Sequence, residues 1–346
     1  MTDFTSFIEG LPKAELHVHH VGSASPHAVA QLAQRHEGST PVPPDPELLA
    51  EYFTFTDFAH FIQVYLSVVD LIRDAGDVST LTYEVARDLA GQRVRYAELT
   101  LTPYSSIVRG VAAEEFCDAV EDARARAARD FGLQLRWCFD IPGEAGVPAA
   151  NLTLDVALNQ RPDGLISFGL GGPERGVPRA QFQAHFDAAR AAGLHSVPHA
   201  GESTGPETVW EALTVLGAER IGHGIAAARD EALLAHLRAA GVPLEICPTS
   251  NVRTRSVRSM EEHPLAVLAA AKVPFTINSD DPPMFSTTLN REYAIAAQLL
   301  GLDTAGVADL ARAAVRQSFL DETGKAALLT EIDEYASSRG VSPPVN

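Results

Sequence analysis

Lysine is scarce in this chain of 346 residues: among 27 basic residues only Lys13, Lys272 and Lys325 are lysines. Against 45 acidic residues the balance is a net charge of −18 and a pI near 5.0. Such a surface argues against a nucleic-acid backbone or an anionic membrane as partner. Cysteine is equally sparse. Cys117, Cys138 and Cys247 are far apart and odd in number, and no C-x-x-C occurs. A disulfide framework and a thiolate zinc site are therefore not expected, and the three read as small buried apolar residues in a reducing cytoplasm. No apolar run reaches the ~18 residues of a membrane helix. The opening MTDFTSFIEGLPKAEL has no basic start followed by an apolar stretch, so no signal peptide is expected.

What is present is an alternation. Eight short apolar runs recur: AELHVH near 14, VRYAELTLTP near 94, LQLRWCFDIP near 133, GLISFGLGG near 164, HSVPHAGE near 195, RIGHG near 220, PLEICPTSN near 243 and VPFTINSDDP near 273. Between them lie amphipathic segments such as AAEEFCDAVEDARARAARDFG and DEALLAHLRAAG, several ending at Gly. Strand–helix alternation repeated eight times predicts an α/β fold, a (β/α)8 TIM barrel. An open doubly wound sheet fits less well, because no Gly-rich phosphate fingerprint follows the first strand.

The chain reads as one domain, 1–346, with extra helices after strand 1 and at the C-terminus. The first connection is roughly 75 residues, far beyond an ordinary loop. Within it Phe58, Phe61, Tyr65 and Val69 recur at helical spacing, with Thr56 as N-cap. A helix packed on the barrel flank explains most of these side chains. The functional alternative is a helical lid insertion, over about residues 45–90, whose aromatic face covers a pocket.

Alternate residues of a strand share a face, so His17 and His19 point together and His20 points away. The fifth run supplies His199 and then Glu202, the sixth supplies His223 between two glycines, and the eighth ends with Asp280 and Asp281 before a proline. In a parallel barrel all strand C-termini meet at one rim, so these residues should converge. Imidazoles and a carboxylate without thiolates suit zinc, with iron or manganese also compatible. His17, His19, His199 and Asp280 are the expected ligands, leaving a position for a water whose pKa the metal lowers toward ~7. A second metal needs a bridging anion such as a modified lysine, and no lysine stands at a rim position. One Zn2+ per chain is the expectation.

HVH, HAGE, GHG and SDDP, in this order, resemble the motifs of the adenosine deaminase family of the amidohydrolase superfamily, across Leu11 to Pro283. The resemblance implies a zinc-dependent barrel that replaces the exocyclic amine of a purine by oxygen. It implies that Glu202 protonates N1 and that His223 orients the water and, with Asp280, shares its proton. It implies further that Asp281 meets N7 and that the Gly172 backbone N–H meets N3. The adenosine-specific pattern has an Asp where this chain has Val21, and that Asp contacts the ribose 5′-hydroxyl. A valine cannot accept that hydrogen bond. Either the contact is lost and the substrate is still adenosine, or the substrate carries an apolar 5′ extension. HVHHVGSASP, YFTFTDFAHF and SFGLGGPE look like the actinobacterial branch that converts 6-amino-6-deoxyfutalosine to futalosine and ammonia in menaquinone biosynthesis. The tail of that nucleoside ends in a carboxyphenyl ketone, which Phe58 and Phe61 would suit; its carboxylate calls for an arginine, and the sequence offers several, Arg109 and Arg175 among them, without selecting one. The alternatives are adenosine deamination in purine salvage and, in another class, a non-catalytic nucleoside-binding barrel.

Overall fold

Each of the eight apolar runs forms one strand: β1 Lys13–His19, β2 Val94–Leu101, β3 Gln134–Pro142, β4 Leu165–Gly171, β5 His195–Ala200, β6 Ile221–His223, β7 Leu244–Ile246 and β8 Phe275–Ile277. The computed structural model describes residues 4–54 and 58–341, without the side chains of Ala50, Phe58, Ala59, Phe61 and Ile62. Every strand pairs in parallel with the next one in sequence. The ring closes between β8 and β1: the His19 N–H donates to Asp280 O at 2.9 Å and the Asp280 N–H to His17 O at 3.1 Å. Strands covered on both faces have no solvated side, which is why they read as nearly continuous apolar runs.

The helices stop where the sequence says they should. The helix Ala113–Phe131 ends at Gly132 (φ 65°), and Glu231–Ala240 ends at Gly241 (φ 70°). That left-handed conformation costs a residue with a side chain much more than glycine. Trp137, Phe139, Phe168 and Phe186 fill the core with no exposure. The N-terminal helix Phe4–Gly10 packs on the C-terminal helix Glu322–Ser338, whose Tyr335 hydroxyl donates to Phe7 O at 3.0 Å. Lys13 is buried beside it. Burial, then the charge of Arg93, lowers its pKa to about 7, and its ammonium donates to Ile8 O and Leu11 O at 2.8 and 2.6 Å.

The long first connection is helical. It carries Pro26–Arg35, Pro46–Tyr52, Phe58–Val69 and then Ala75–Gly91, whose Asp74 and Asp77 form a capping box. Asp77 also receives Arg35 and His36, at 2.9 and 2.8 Å, tying the insertion to the helix it caps. Three more helices, Leu289–Leu300, Thr304–Gln317 and Glu322–Ser338, follow β8. The proposed cap Thr56 and the side chains of Phe58 and Phe61 lie outside the described residues. Among the described residues, no helix is long and apolar enough to cross a membrane.

Candidate metal and substrate site

β1 brings His17 and His19 to the rim on one face, as the strand period requires. His20 turns the other way, and its Nε2 lies 2.9 Å from Thr82 Oγ1 on a flanking helix. His199 comes from the end of β5, His223 from the end of β6, and Asp280 follows β8. Their side chains meet. His19 Nε2 lies 3.2 Å from His199 Nε2 and 3.2 Å from Asp280 Oδ1, and His17 Nε2 lies 3.5 Å from the same oxygen. The rings of His17 and His199 are 4.5 Å apart, and those of His17 and His223 are 4.8 Å apart.

Two backbone features hold this convergence. His223 (φ 59°) and Asp280 (φ 64°) both adopt the left-handed conformation without being glycine. That strain persists only where the surroundings over-determine it, commonly at functional sites. Gly222 cannot carry a side chain: a Cβ there would meet His17 Cε1 at 2.9 Å and His199 Cγ at 3.1 Å.

The donor set fits a divalent cation. His17 Nε2, which faces the cluster, is buried without a hydrogen-bond partner, which is costly for a group that serves no purpose. Donor atoms bound at ~2.0–2.1 Å in a tetrahedral arrangement lie ~3.3 Å from one another. The observed spacings of 3.2, 3.2 and 3.5 Å match that edge length. Ligand-type atoms also cluster within 4.8 Å in the sets His17, His199, His223; His19, Asp280, Asp281; and His17, Cys247, Asp280. Burial, reinforced by the charge of Asp280, pushes the Cys247 thiol far up, so it is poorly suited to act as a thiolate.

Behind the imidazoles runs a buried polar chain that sequence reasoning missed. His17 Nδ1 donates to Glu245 Oε2 at 2.9 Å. Glu245 Oε1 accepts from Arg220 Nε at 2.6 Å, and Arg220 also grips Glu98 and lies over the Phe319 ring. The pairing fixes the His17 tautomer with Nε2 free toward the centre. Burial opposes a charge on His17, but the close carboxylates of Asp280 and Glu245 outweigh it and raise its pKa to about 10. Burial, only partly offset by Asp280, lowers His19 to about 4. The carboxylates thus favour one positive charge at the centre, a place a metal cation can take. On the other side Glu15 accepts from the Ser279 N–H at 3.0 Å and from its hydroxyl, anchoring the residue before Asp280. The available signal was a charged residue in mid-strand: Glu15, Glu98 and Glu245 each interrupt an apolar run.

Glu202 sits at the edge of the cluster, its Oε2 3.8 Å from His223 Nε2. Its Oε1 accepts from Thr254 Oγ1 at 3.0 Å. The loop carrying it hangs on Glu174, which accepts the N–H groups of Gly201, Glu202 and Ser203, each at 2.7 Å. A cleft lined by Arg175, Arg229, Thr254 and Arg255 opens beside Glu202. Arg109, in contrast, is engaged by Asp70 at 2.8 Å.

Asp281 lies against the backbone after β1. A Cβ on Gly22 would fall 1.4 Å from Asp281 Oδ1, so the carboxyl occupies the space above Gly22, next to half-buried Val21. Burial and then the charge of Asp280 push the Asp281 carboxyl well up. Gly172 (φ 77°) is exposed beyond β4, where a Cβ would meet Glu144 Oε2 at 2.2 Å. Tyr65, on the helix Phe58–Val69, lies within the field of the acidic groups at the rim. Its phenol is pushed up by burial first and then by Asp281, Asp140 and Glu144. Asp140, not singled out from the sequence, lies near the end of β3 before Pro142, accepts from Thr102 Oγ1 at 2.6 Å, and is raised by burial to about 7.

The model of one family, adenosine deaminase, matches residues 12–335. The aminodeoxyfutalosine deaminase of Streptomyces coelicolor is 64% identical over 97% of this chain and 87% of its own length. The solved structure of an adenine deaminase from Arthrobacter aurescens superposes with a TM-score of 0.88 at 32% identity, over 95% of this chain and 100% of that one. An amidohydrolase from Burkholderia ambifaria, solved with bound Zn, gives 0.86 at 25% identity, over 97% and 94%.

Proposed function

The chain belongs to the adenosine deaminase family, and from that premise we propose that it hydrolyses the C6 amine of a purine nucleoside, 6-amino-6-deoxyfutalosine, giving futalosine and ammonia in a cytoplasmic route to menaquinone. The observation that carries the reaction class is the meeting of His17, His19, His199 and Asp280 beside Glu202 and His223. The substrate follows from Val21 in place of an acceptor and from the 64% identical relative, whose name is that reaction.

His17, His19, His199 and Asp280 would hold one zinc ion, the metal present in the Burkholderia structure. When bound, the cation supplies a water acidified to a pKa of ~7, the nucleophile for C6. The protein then handles the protons and the ring. Glu202 delivers a proton to N1, which draws electrons from C6 and opens it to attack. Asp280 Oδ2 lies 3.7 Å from His223 Nε2, so an acceptor and a ring nitrogen stand together beside the residues that would hold the ion. N7 can only accept, so Asp281 must donate; its raised pKa keeps a proton there. Gly172, without a side chain, lets its N–H approach N3. The helix Phe58–Val69, which carries Tyr65, acts as a lid.

The test is a parallel turnover assay on 6-amino-6-deoxyfutalosine and adenosine, with and without a chelator. A large preference for the first, abolished by chelation and restored by one equivalent of zinc, is expected. A preference for adenosine would replace the substrate and keep the chemistry. Turnover unaffected by metal removal would overturn the mechanism.

A further inference from the structure

His223 is tied to a buried chain that none of its proposed roles uses. Its Nδ1 lies 3.2 Å from Asn251 Nδ2, and Asn251 Oδ1 lies 3.2 Å from His263 Nε2. The chain ends at a backbone amide: the Leu265 N–H points at His263 Nδ1 across 3.2 Å. Asn251 and His263 are both buried.

The direction of every bond follows from the last one. A backbone N–H can only donate, so His263 Nδ1 must accept. Its proton is then on Nε2, and His263 is neutral, in keeping with a pKa that burial lowers to about 4. Nε2–H donates to Asn251, so the Asn251 atom facing it is the carbonyl oxygen. The amide NH2 is then the group that faces His223, and His223 Nδ1 accepts from it. The fixed amide of Leu265 selects this order, whichever way the Asn251 amide could otherwise point.

We propose that Asn251 and His263 are positioning residues that hold His223 in the Nε2–H tautomer. Its Nε2 faces Asp280 Oδ2 at 3.7 Å and Glu202 Oε2 at 3.8 Å. In this tautomer His223 presents a donor to the reacting oxygen and has no lone pair on Nε2 with which to take a proton. The proton released on attack therefore goes to Asp280. This deepens the proposed function, on which it rests for the identity of the reacting oxygen, but the tautomer itself is a property of the free protein.

The direct test is 15N spectroscopy of histidine-labelled, zinc-loaded protein at neutral pH, with the His223 signals assigned by their loss in His223→Gln. A pyridine-like Nδ1 and a protonated Nε2 are expected. The reverse pattern overturns the proposal whatever the substrate proves to be. Asn251→Asp replaces the donor that faces Nδ1 by an acceptor. It should move the proton to Nδ1 and lower kcat by ~10²- to 10⁴-fold, the penalty known for a catalytic histidine in the wrong tautomer. KM and zinc content should stay within ~3-fold, as for a group acting only in the transition state. His263→Gln keeps a donor toward Asn251 and should retain kcat within ~3-fold, whereas His263→Leu should not. A pyridine-like Nδ1 with full kcat in Asn251→Asp would overturn the assignment.

Discussion

His17 and Glu245 are joined by a hydrogen bond of 2.9 Å that leaves the other imidazole nitrogen aimed at the metal-type cluster. Glu245 is in turn locked by Arg220, so the ring cannot rotate without breaking its buried hydrogen bond to a fixed partner. Outer partners of this kind orient the ligand and raise its basicity. Glu245→Gln keeps the shape and removes the charge. Zinc affinity, measured by competition with a chromophoric chelator, is expected to fall ~10- to 100-fold. An unchanged affinity would mean that Glu245 serves only the packing around Arg220.

Gly222 tests the same centre from the backbone side. Gly222→Ala places a methyl 2.9 Å from His17 Cε1 and 3.1 Å from His199 Cγ, both in buried rings. The imidazoles must move apart. We expect zinc stoichiometry to drop well below one per chain while far-ultraviolet circular dichroism stays near that of the parent. Retention of a full equivalent of zinc would show that the rings yield without losing the metal.

Glu202 is held by Thr254 at one oxygen and faces His223 with the other. Glu202→Gln preserves volume but cannot pass a proton to the ring. The expected loss in kcat is ~10²- to 10⁴-fold, with zinc content unchanged by elemental analysis. A loss confined to KM would make Glu202 a binding group and move the proton donor elsewhere.

Val21 is half-buried beside Gly22, over which the Asp281 carboxyl lies. Val21→Asp restores an acceptor for a 5′-hydroxyl and sets a second carboxyl near Asp281. The ratio of kcat/KM for adenosine to that for 6-amino-6-deoxyfutalosine is expected to rise by ~10-fold, the worth of about one net hydrogen bond. No change in that ratio would remove Val21 as the selector.

Much of this molecule is written locally. The eight runs and their Gly-terminated helices are short-range patterns, set by side-chain period and by backbone freedom at residues such as Gly132 and Gly241. Once the alternation implies a barrel, its rim gathers strand ends, and His17, His19, His199, His223 and Asp280 can be named in advance. What could not be read was the support. Glu174, Asn251 and His263 act across gaps of many residues, through single hydrogen bonds whose geometry no spacing encodes.

By itself, then, the sequence determined the architecture and the chemical types that meet at its mouth, because periodicity and parallel strand direction are local properties with a global consequence. The tertiary structure decided which nitrogen of each imidazole faces inward, since that depends on a partner, Glu245 for His17 and Asn251 for His223, brought from a distant strand or helix. A tautomer is chosen by the hydrogen bond on the far side of the ring, and only the folded chain supplies it.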